Sequence, residues 1–90
     1  MQVAISHPTN RPNFTEVTVG DVTLWFSYET VVGFRDWRTG RGLRVTQNYW
    51  GPTTGKHLNW IDNGDKASRL DADDFKLELI QSLRSLGVTV

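Results

Sequence analysis

The sequence predicts an α+β domain, in which a small antiparallel sheet of about four strands is followed by a short helix and a longer C-terminal helix packed on one face. Two observations predict this class. Runs with period-2 alternation occupy the first half of the chain, and the one strong helical periodicity lies near its end. Strands first and helices last is the order typical of α+β domains, whose helices cover a face of the sheet.

The first half of the chain is predicted to form strands joined by tight turns. Residues 1–14 indicate an irregular N-terminal arm, or an edge strand around Val3 and Ile5. Gly20 and Asp21 separate two β-rich runs, which predicts a two-residue hairpin. The expected strands lie at residues 15–19, 22–28, 30–34 and 43–49.

Two helices are expected in the second half, at residues 53–62 and 72–86. Thr53 or Thr54 is a candidate cap for the first helix. The second helix is the clearest element: Asp71 is a good N-cap and Gly87 a stop signal. An apolar stripe at helical spacing predicts its core face: Phe75, Leu79, Ile80, Leu83 and Leu86.

Length and composition exclude several classes of protein. Ninety residues suit a single domain, residues 1–90, and 38% hydrophobic content argues against disorder. The chain has 0 Cys, so it has no disulfide framework or thiolate metal site, which suits a reducing cytosol. No apolar run approaches the roughly 18 residues of a membrane span, and no signal segment opens the chain, so no membrane association is expected.

A basic and aromatic segment is the strongest candidate binding feature. Between residues 35 and 56 there are five basic residues and one acidic residue, a net charge of +4. The candidate contacts are Arg35, Trp37, Arg38, Arg41, Arg44, Asn48 and Trp50. Arginines and aromatics interleaved on a hairpin are typical of single-stranded nucleic-acid binders. Two other interpretations stay open: a protein interface, or tryptophans in the core covered by arginine stems.

The segment 51–57 is similar to a phosphate-binding loop in composition but not in spacing. Three residues rather than four separate its glycines, and His57 stands where a magnesium-binding hydroxyl is needed. A general anion contact stays open for four residues: Thr53, Thr54, Lys56 and His57. In one alternative Asn48, Thr53, Lys56 and His57 sequester a small nucleotide. The competing interpretation is that a threonine simply caps the helix.

Catalysis has little support in the sequence. Neither Ser27 nor Ser68 lies in an elbow-like glycine setting, and the two histidines, His7 and His57, show no recognisable metal-ligand spacing. We therefore expect a protein that is not an enzyme, with no metal and no cofactor.

Three segments resemble a family of small uncharacterised domains found mainly in bacteriophage and archaeal virus proteins. They are residues 28–35 (Tyr-Glu-Thr-Val-Val-Gly-Phe-Arg), Asn48 with Trp50, and residues 53–59 (Thr-Thr-Gly-Lys-His-Leu-Asn). The resemblance covers most of residues 22–76 and implies no known reaction, cofactor or ligand. It implies a small viral protein that acts in the host cytoplasm.

The function expected from the resemblance and from the missing catalytic groups is binding to a host macromolecule. Its partner would be a host protein complex, with inhibition of a defence system such as a CRISPR complex as the outcome, or a nucleic acid. Single-stranded nucleic-acid binding and nucleotide sequestration are the alternatives. A homodimer stays open, because a sheet edge and surplus tryptophan favour self-association.

Overall fold

The computed structural model describes residues 3–7, 11–40 and 42–87. In these residues the chain forms strands, two α-helices and one 3-10 turn in a simple order. The strands are β1 (Val3–Ser6), β2 (Phe14–Val19), β3 (Val22–Ser27), β4 (Thr30–Asp36) and β5 (Leu43–Val45). The helices are α1 (Pro52–Asp62) and α2 (Ala72–Ser85), with the 3-10 turn at Lys66–Ser68 between them. Neither α-helix in the described ranges has the length and apolar character needed to cross a bilayer.

The strands form one antiparallel sheet in the order β1-β2-β3-β4-β5. The α+β class is confirmed, and the sheet has five strands rather than about four. The additional strand is β1, which pairs with β2. Of the two structures expected for the start of the chain, the edge strand around Val3 and Ile5 is therefore present. The hairpin across residues 20–21 is also confirmed: Val19 pairs with Val22, and Gly20 adopts φ +57°, which glycine reaches without a steric penalty.

The two helices lie on opposite faces of the sheet rather than sharing one face. Gly33 and Phe34 are consecutive in β4, so they face opposite sides. A Cβ on Gly33 would lie 3.2 Å from Cδ1 of Ile61 in α1. The Phe34 ring instead contacts Phe75 of α2, with centroids 5.6 Å apart. Each face of the central strands therefore has its own helix.

A separate apolar cluster lies under each helix. The α2 cluster is Val22, Leu24, Phe34 and Phe75, and the α1 cluster is Val32, Val45 and Leu58. An irregularity in the β3–β4 pairing supplies one member of the α1 cluster. Trp25 pairs with Gly33 and Phe26 with Val31, which leaves Val32 as the extra residue of a bulge. The bulge allows Val32 to be fully buried beside α1.

The signals at the ends of α2 are confirmed, and those of α1 are corrected. The Asp71 side chain accepts a hydrogen bond from the Asp74 amide at 2.9 Å, and Gly87 follows the helix with φ +88°. In α1, Gly51 is the N-cap and Pro52 occupies the first turn without a side-chain cap. Thr53 and Thr54 therefore lie inside the helix. Proline suits the first helical position, because its φ is already helical and its missing N–H would have no partner there, so the helix begins one residue before Thr53.

Candidate binding site

Two exposed aromatic side chains flank a small pocket beside α1. This aromatic pocket has a volume of about 140 Å³ and is lined by Ser27, Tyr28, Thr30, Val32, Trp50 and Thr54. Tyr28 is 54% exposed and Trp50 is 52% exposed, although both are large apolar rings. The pocket thus joins the end of β3, the start of β4, the loop before α1 and the first turn of α1.

Tyr28 is held at the rim by an unusual backbone conformation. It lies in the two-residue turn between β3 and β4 with φ +55°, a region that bulky side chains seldom adopt. Its amide donates to the Asn13 carbonyl at 2.8 Å, and its ring lies 6.0 Å from the His57 ring. The surrounding contacts therefore impose a conformation that costs about 1–3 kcal/mol and keep a tyrosine exposed.

Trp50 is positioned by the side chain of Asn48. The Trp50 amide donates to Oδ1 of Asn48 at 3.0 Å, and Nδ2 of Asn48 donates to the Gly51 carbonyl at 3.0 Å. Asn48 thereby organises the loop that leads into α1. The Tyr49 ring meets the Trp50 ring edge to face at 6.0 Å.

A buried hydrogen-bond chain forms the floor of the aromatic pocket. Oγ of Ser27 lies 2.6 Å from Nδ1 of His57 and 2.9 Å from Oγ1 of Thr54. Nε2 of His57 lies 3.2 Å from the Pro12 carbonyl, which can only accept. Nε2 therefore carries the proton, Ser27 donates to Nδ1, and Thr54 donates to Ser27.

The His57 ring is buried among other aromatic rings. It is 1% exposed and packs between the rings of Phe14 and Trp60, with centroids 5.3 Å from each. Burial lowers the pKa of His57 below its ordinary value, which keeps the ring neutral. A serine and a histidine at hydrogen-bond distance are the pair used in nucleophilic catalysis. Here both ring nitrogens are occupied and the pair lies in the core.

Two arginines of the basic segment are paired with acids. Arg38 forms a two-bond contact with Asp36, with Nε to Oδ1 at 2.9 Å and Nη2 to Oδ2 at 2.8 Å. Hydrogen bonds from Arg38 lower the pKa of Asp36. Arg44 lies on the α2 face, where its Nε is 3.0 Å from Oε1 of Glu78. Both charges are therefore balanced within the fold.

Arg35 and Trp37 of that segment lie on the opposite face of the sheet. The Arg35 guanidinium stacks over the Trp37 ring at 4.4 Å, and Trp37 is 60% exposed. The Trp37 indole donates to Oγ1 of Thr23 at 3.1 Å, and the Trp25 indole donates to Glu16 at 2.9 Å. We call this surface the open sheet face; its five residues are Glu16, Thr23, Trp25, Arg35 and Trp37. Arg41 lies outside the described residues.

The predicted anion contacts at 53–57 lie on two different sides of α1, one buried and one exposed. Thr54 lines the aromatic pocket and His57 is buried behind Ser27, whereas Thr53 and Lys56 are exposed. Ser27 and Tyr28 were not expected at a site. The signal for them was weak: an exposed tyrosine at a turn position where glycine or asparagine is usual.

The match to a protein family covers most of the chain. A family model described as "Family of unknown function (DUF8033)" matches residues 5–77. This range contains every residue that lines the aromatic pocket. Searches of curated proteins and of solved structures gave no match.

Proposed function

Because the chain belongs to the DUF8033 family of unknown function, we propose a function from its geometry: it is a non-enzymatic binding protein that engages a host protein through the aromatic pocket. The observation that carries this proposal is the pair Tyr28 and Trp50, which stand about half exposed on either side of the pocket. Tryptophan and tyrosine in preformed pockets are the residues that dominate protein–protein binding energy.

The size of the aromatic pocket favours an anchor residue over a free small molecule. Its volume of about 140 Å³ is well below the roughly 300–1,000 Å³ of ligand pockets. It has room for one inserted side chain of a partner. The hydroxyls of Ser27 and Thr54 already form hydrogen bonds with each other, and that of Ser27 also with His57. An apolar side chain inserted into the pocket would therefore leave neither hydroxyl without a hydrogen-bond partner.

The charges around the pocket favour a protein over a nucleic acid. Its lining contains no cationic side chain, and the residue after Tyr28 is the exposed Glu29. Arg38 and Arg44 are balanced by Asp36 and Glu78. A phosphate group in the pocket itself would meet no cationic side chain, whereas a protein partner needs none.

Hydrogen bonds to the backbone that carries both rings also favour tight binding. Backbone or side-chain hydrogen bonds fix the amides of Tyr28 and Trp50 before any partner arrives. Ordering a loop or side chain on binding costs free energy, so a preformed rim retains more of the contact energy. A domain of 90 residues needs such an anchor, because its surface is small.

The biological setting we propose is a viral protein in the host cytoplasm that blocks a complex of a defence system, such as a CRISPR complex. The support is the resemblance of residues 28–35, 48–50 and 53–59 to domains of bacteriophage and archaeal virus proteins. Small binders of this kind act by covering a surface of their target.

Affinity capture from a host lysate tests the proposal, with two matched tryptophan variants. Trp50→Ala removes the pocket rim, and Trp37→Ala removes an equally exposed ring on the open sheet face. We expect the captured protein, once purified, to bind Trp50→Ala at least about 30-fold more weakly, the cost of a hot spot. Trp37→Ala should bind like wild type. If only Trp37→Ala weakened binding, the partner would bind the open sheet face and not the aromatic pocket.

A second candidate function is supported by the stacked pair on the open sheet face. Arg35 over Trp37 offers a cation and a half-exposed aromatic surface, the two groups that single-stranded nucleic acid uses. We rank it second because two of the four hairpin arginines, Arg38 and Arg44, are already paired with Asp36 and Glu78.

A further inference from the structure

A second concave site lies on the other side of the first turn of α1. This polar cleft has a volume of about 320 Å³ and is lined by Gln47, Asn48, Gly55, Asn59, Lys66 and Arg69. It has no apolar side chain in its lining. Three carboxamides and two cations meet there from three segments, namely the loop at 47–48, α1, and the 3-10 turn with its C-cap. The aromatic pocket, in contrast, is lined mainly by rings and hydroxyls.

Arg69 is a buried cation fixed in orientation at this cleft. Its Nε donates to Oδ2 of Asp62 at 2.8 Å, and its Nη2 donates to Oδ1 of Asp62 and to Oδ1 of Asn59, both at 3.0 Å. Burial alone would raise the pKa of Asp62, but the bonds and charge of Arg69 outweigh it and lower that pKa. Among the described contacts, Nη1 of Arg69 has no partner, so two hydrogen-bond donors remain.

The acceptor atoms of the three carboxamides are already occupied. Oε1 of Gln47 accepts from the Tyr49 hydroxyl at 3.3 Å, and Oδ1 of Asn48 accepts from the Trp50 amide at 3.0 Å. Oδ1 of Asn59 accepts from Arg69. Each of these oxygens has thus accepted one hydrogen bond, whereas each NH₂ group keeps at least one hydrogen, since among the described contacts only Nδ2 of Asn48 donates, to the Gly51 carbonyl. The cleft therefore presents mainly donors.

Lys66 and Gly55 complete the site. Lys66 is exposed and makes no ion pair with the described residues, so it adds a net positive charge beside the neutral Arg69–Asp62 pair. Gly55 lies inside α1, where glycine costs about 0.5–1 kcal/mol relative to alanine. A Cβ there would lie 3.2 Å from Nδ2 of Asn48. The missing side chain keeps the floor of the cleft open.

We propose that the polar cleft binds a small phosphate-bearing ligand about the size of a mononucleotide. A phosphate group offers only acceptors at its ionised oxygens, which matches a wall of donors and a positive charge. The volume of about 320 Å³ lies at the lower end of the range for ligand sites. This site goes beyond the proposed function and shares only Asn48 with the residues that the sequence indicated for a nucleotide.

Titration calorimetry with adenosine monophosphate, adenosine and inorganic phosphate tests the proposal. We expect adenosine monophosphate to bind more tightly than either of the other two. Lys66→Gln should weaken its binding about tenfold, the loss expected for one charge-assisted hydrogen bond. Gly55→Ala should also weaken it, because the new methyl group displaces the Asn48 carboxamide. Lys76→Gln, an exposed lysine on α2, is the matched control and should bind like wild type.

Four results would overturn the assignment. They are no binding of adenosine monophosphate, equal binding of adenosine, equal binding of inorganic phosphate, or equal losses in Lys66→Gln and Lys76→Gln. Trp50→Ala separates this site from the protein-binding proposal, because that variant should keep the nucleotide affinity. Circular dichroism of each variant confirms that it is folded.

Discussion

Oγ of Ser27 lies 2.6 Å from Nδ1 of His57, a residue 30 positions later in the chain. This bond joins the last residue of β3 to the middle of α1 and fixes the floor on which the aromatic pocket is built. Because both residues are buried, the bond contributes to the stability of the domain as well as to the shape of the pocket.

Ser27→Ala is expected to lower the free energy of unfolding by about 1–3 kcal/mol. The reason is that Nδ1 of His57 and the Thr54 hydroxyl lose their common buried partner. Urea denaturation measures the change. Ser68→Ala is the control: that hydroxyl is exposed and bonds only to the Asp65 carbonyl, so its loss should stay within about 0.5 kcal/mol. Equal effects in the two variants would contradict the assignment of a buried network.

The buried, neutral His57 predicts a loss of stability in mild acid. Burial lowers its pKa from 6.5, so the unfolded chain binds a proton that the native state does not. Stability is therefore fully present above 6.5 and falls as the pH drops towards the lowered value, by at most about 1.4 kcal/mol per pH unit. Urea midpoints between about pH 7.5 and pH 5 measure the slope.

Two histidine variants show which residue causes this dependence of stability on pH. His57→Gln should flatten the dependence in that window, whereas His7→Gln, at an exposed position, should leave it unchanged. Asp36 and Asp62 act in a different window. Their pKa values are lowered from 3.8, so their contribution is lost only as the pH falls below that value. A slope that His57→Gln leaves intact would rule out His57 as its source.

Most of the fold was predictable because its signals are local. Alternation marked the strands, and Asp71 and Gly87 marked the ends of α2. The placement of α1 was not predictable, because it depends on Gly33 leaving room for Ile61 on the face opposite Phe34. That relationship needs the strand register, which the bulge at Val32 also shifts.

The candidate site was less predictable than the fold, because distant segments build it. Asn48 and Trp50 were expected as binding residues, and they lie at or beside the aromatic pocket. His57 was expected as an anion contact, but Phe14 of β2 packs against it from a distant part of the chain and, with Trp60 of the same helix, buries it. The pairing of Arg38 was visible in principle, since Asp36 is two residues away in the same segment.

Asp62→Asn is expected to be among the most destabilising single changes in the described part of the chain. It leaves the Arg69 guanidinium buried without its carboxylate, and breaking a buried pair costs about 3–5 kcal/mol. Asp36→Asn is the comparison, because its partner Arg38 is 32% exposed and can be hydrated when the bond is lost. Urea denaturation should therefore show a smaller loss for Asp36→Asn, and the reverse order would contradict the burial of Arg69.

The salt dependence of oligonucleotide binding distinguishes the two candidate functions. If the open sheet face binds single-stranded nucleic acid, the pairing of Arg38 with Asp36 and of Arg44 with Glu78 leaves at most two of the four hairpin arginines for phosphate. Each phosphate contact on a single strand contributes about −0.7 to the slope of log affinity against log salt, so two contacts give about −1.4 and four give about −2.8. Fluorescence anisotropy with a labelled oligonucleotide measures it.

Suppose that wild type binds with a slope near −1.4 and that Trp37→Ala abolishes the binding. The open sheet face would then be a nucleic-acid site. A slope near −2.8 would mean that Arg38 and Arg44 leave Asp36 and Glu78 to contact phosphate, which would contradict the view that their charges are balanced in the fold. We expect neither result: under the proposed protein-binding function the oligonucleotide does not bind at physiological salt. Wild-type binding to the captured host protein would then remain sensitive to Trp50→Ala and insensitive to Trp37→Ala.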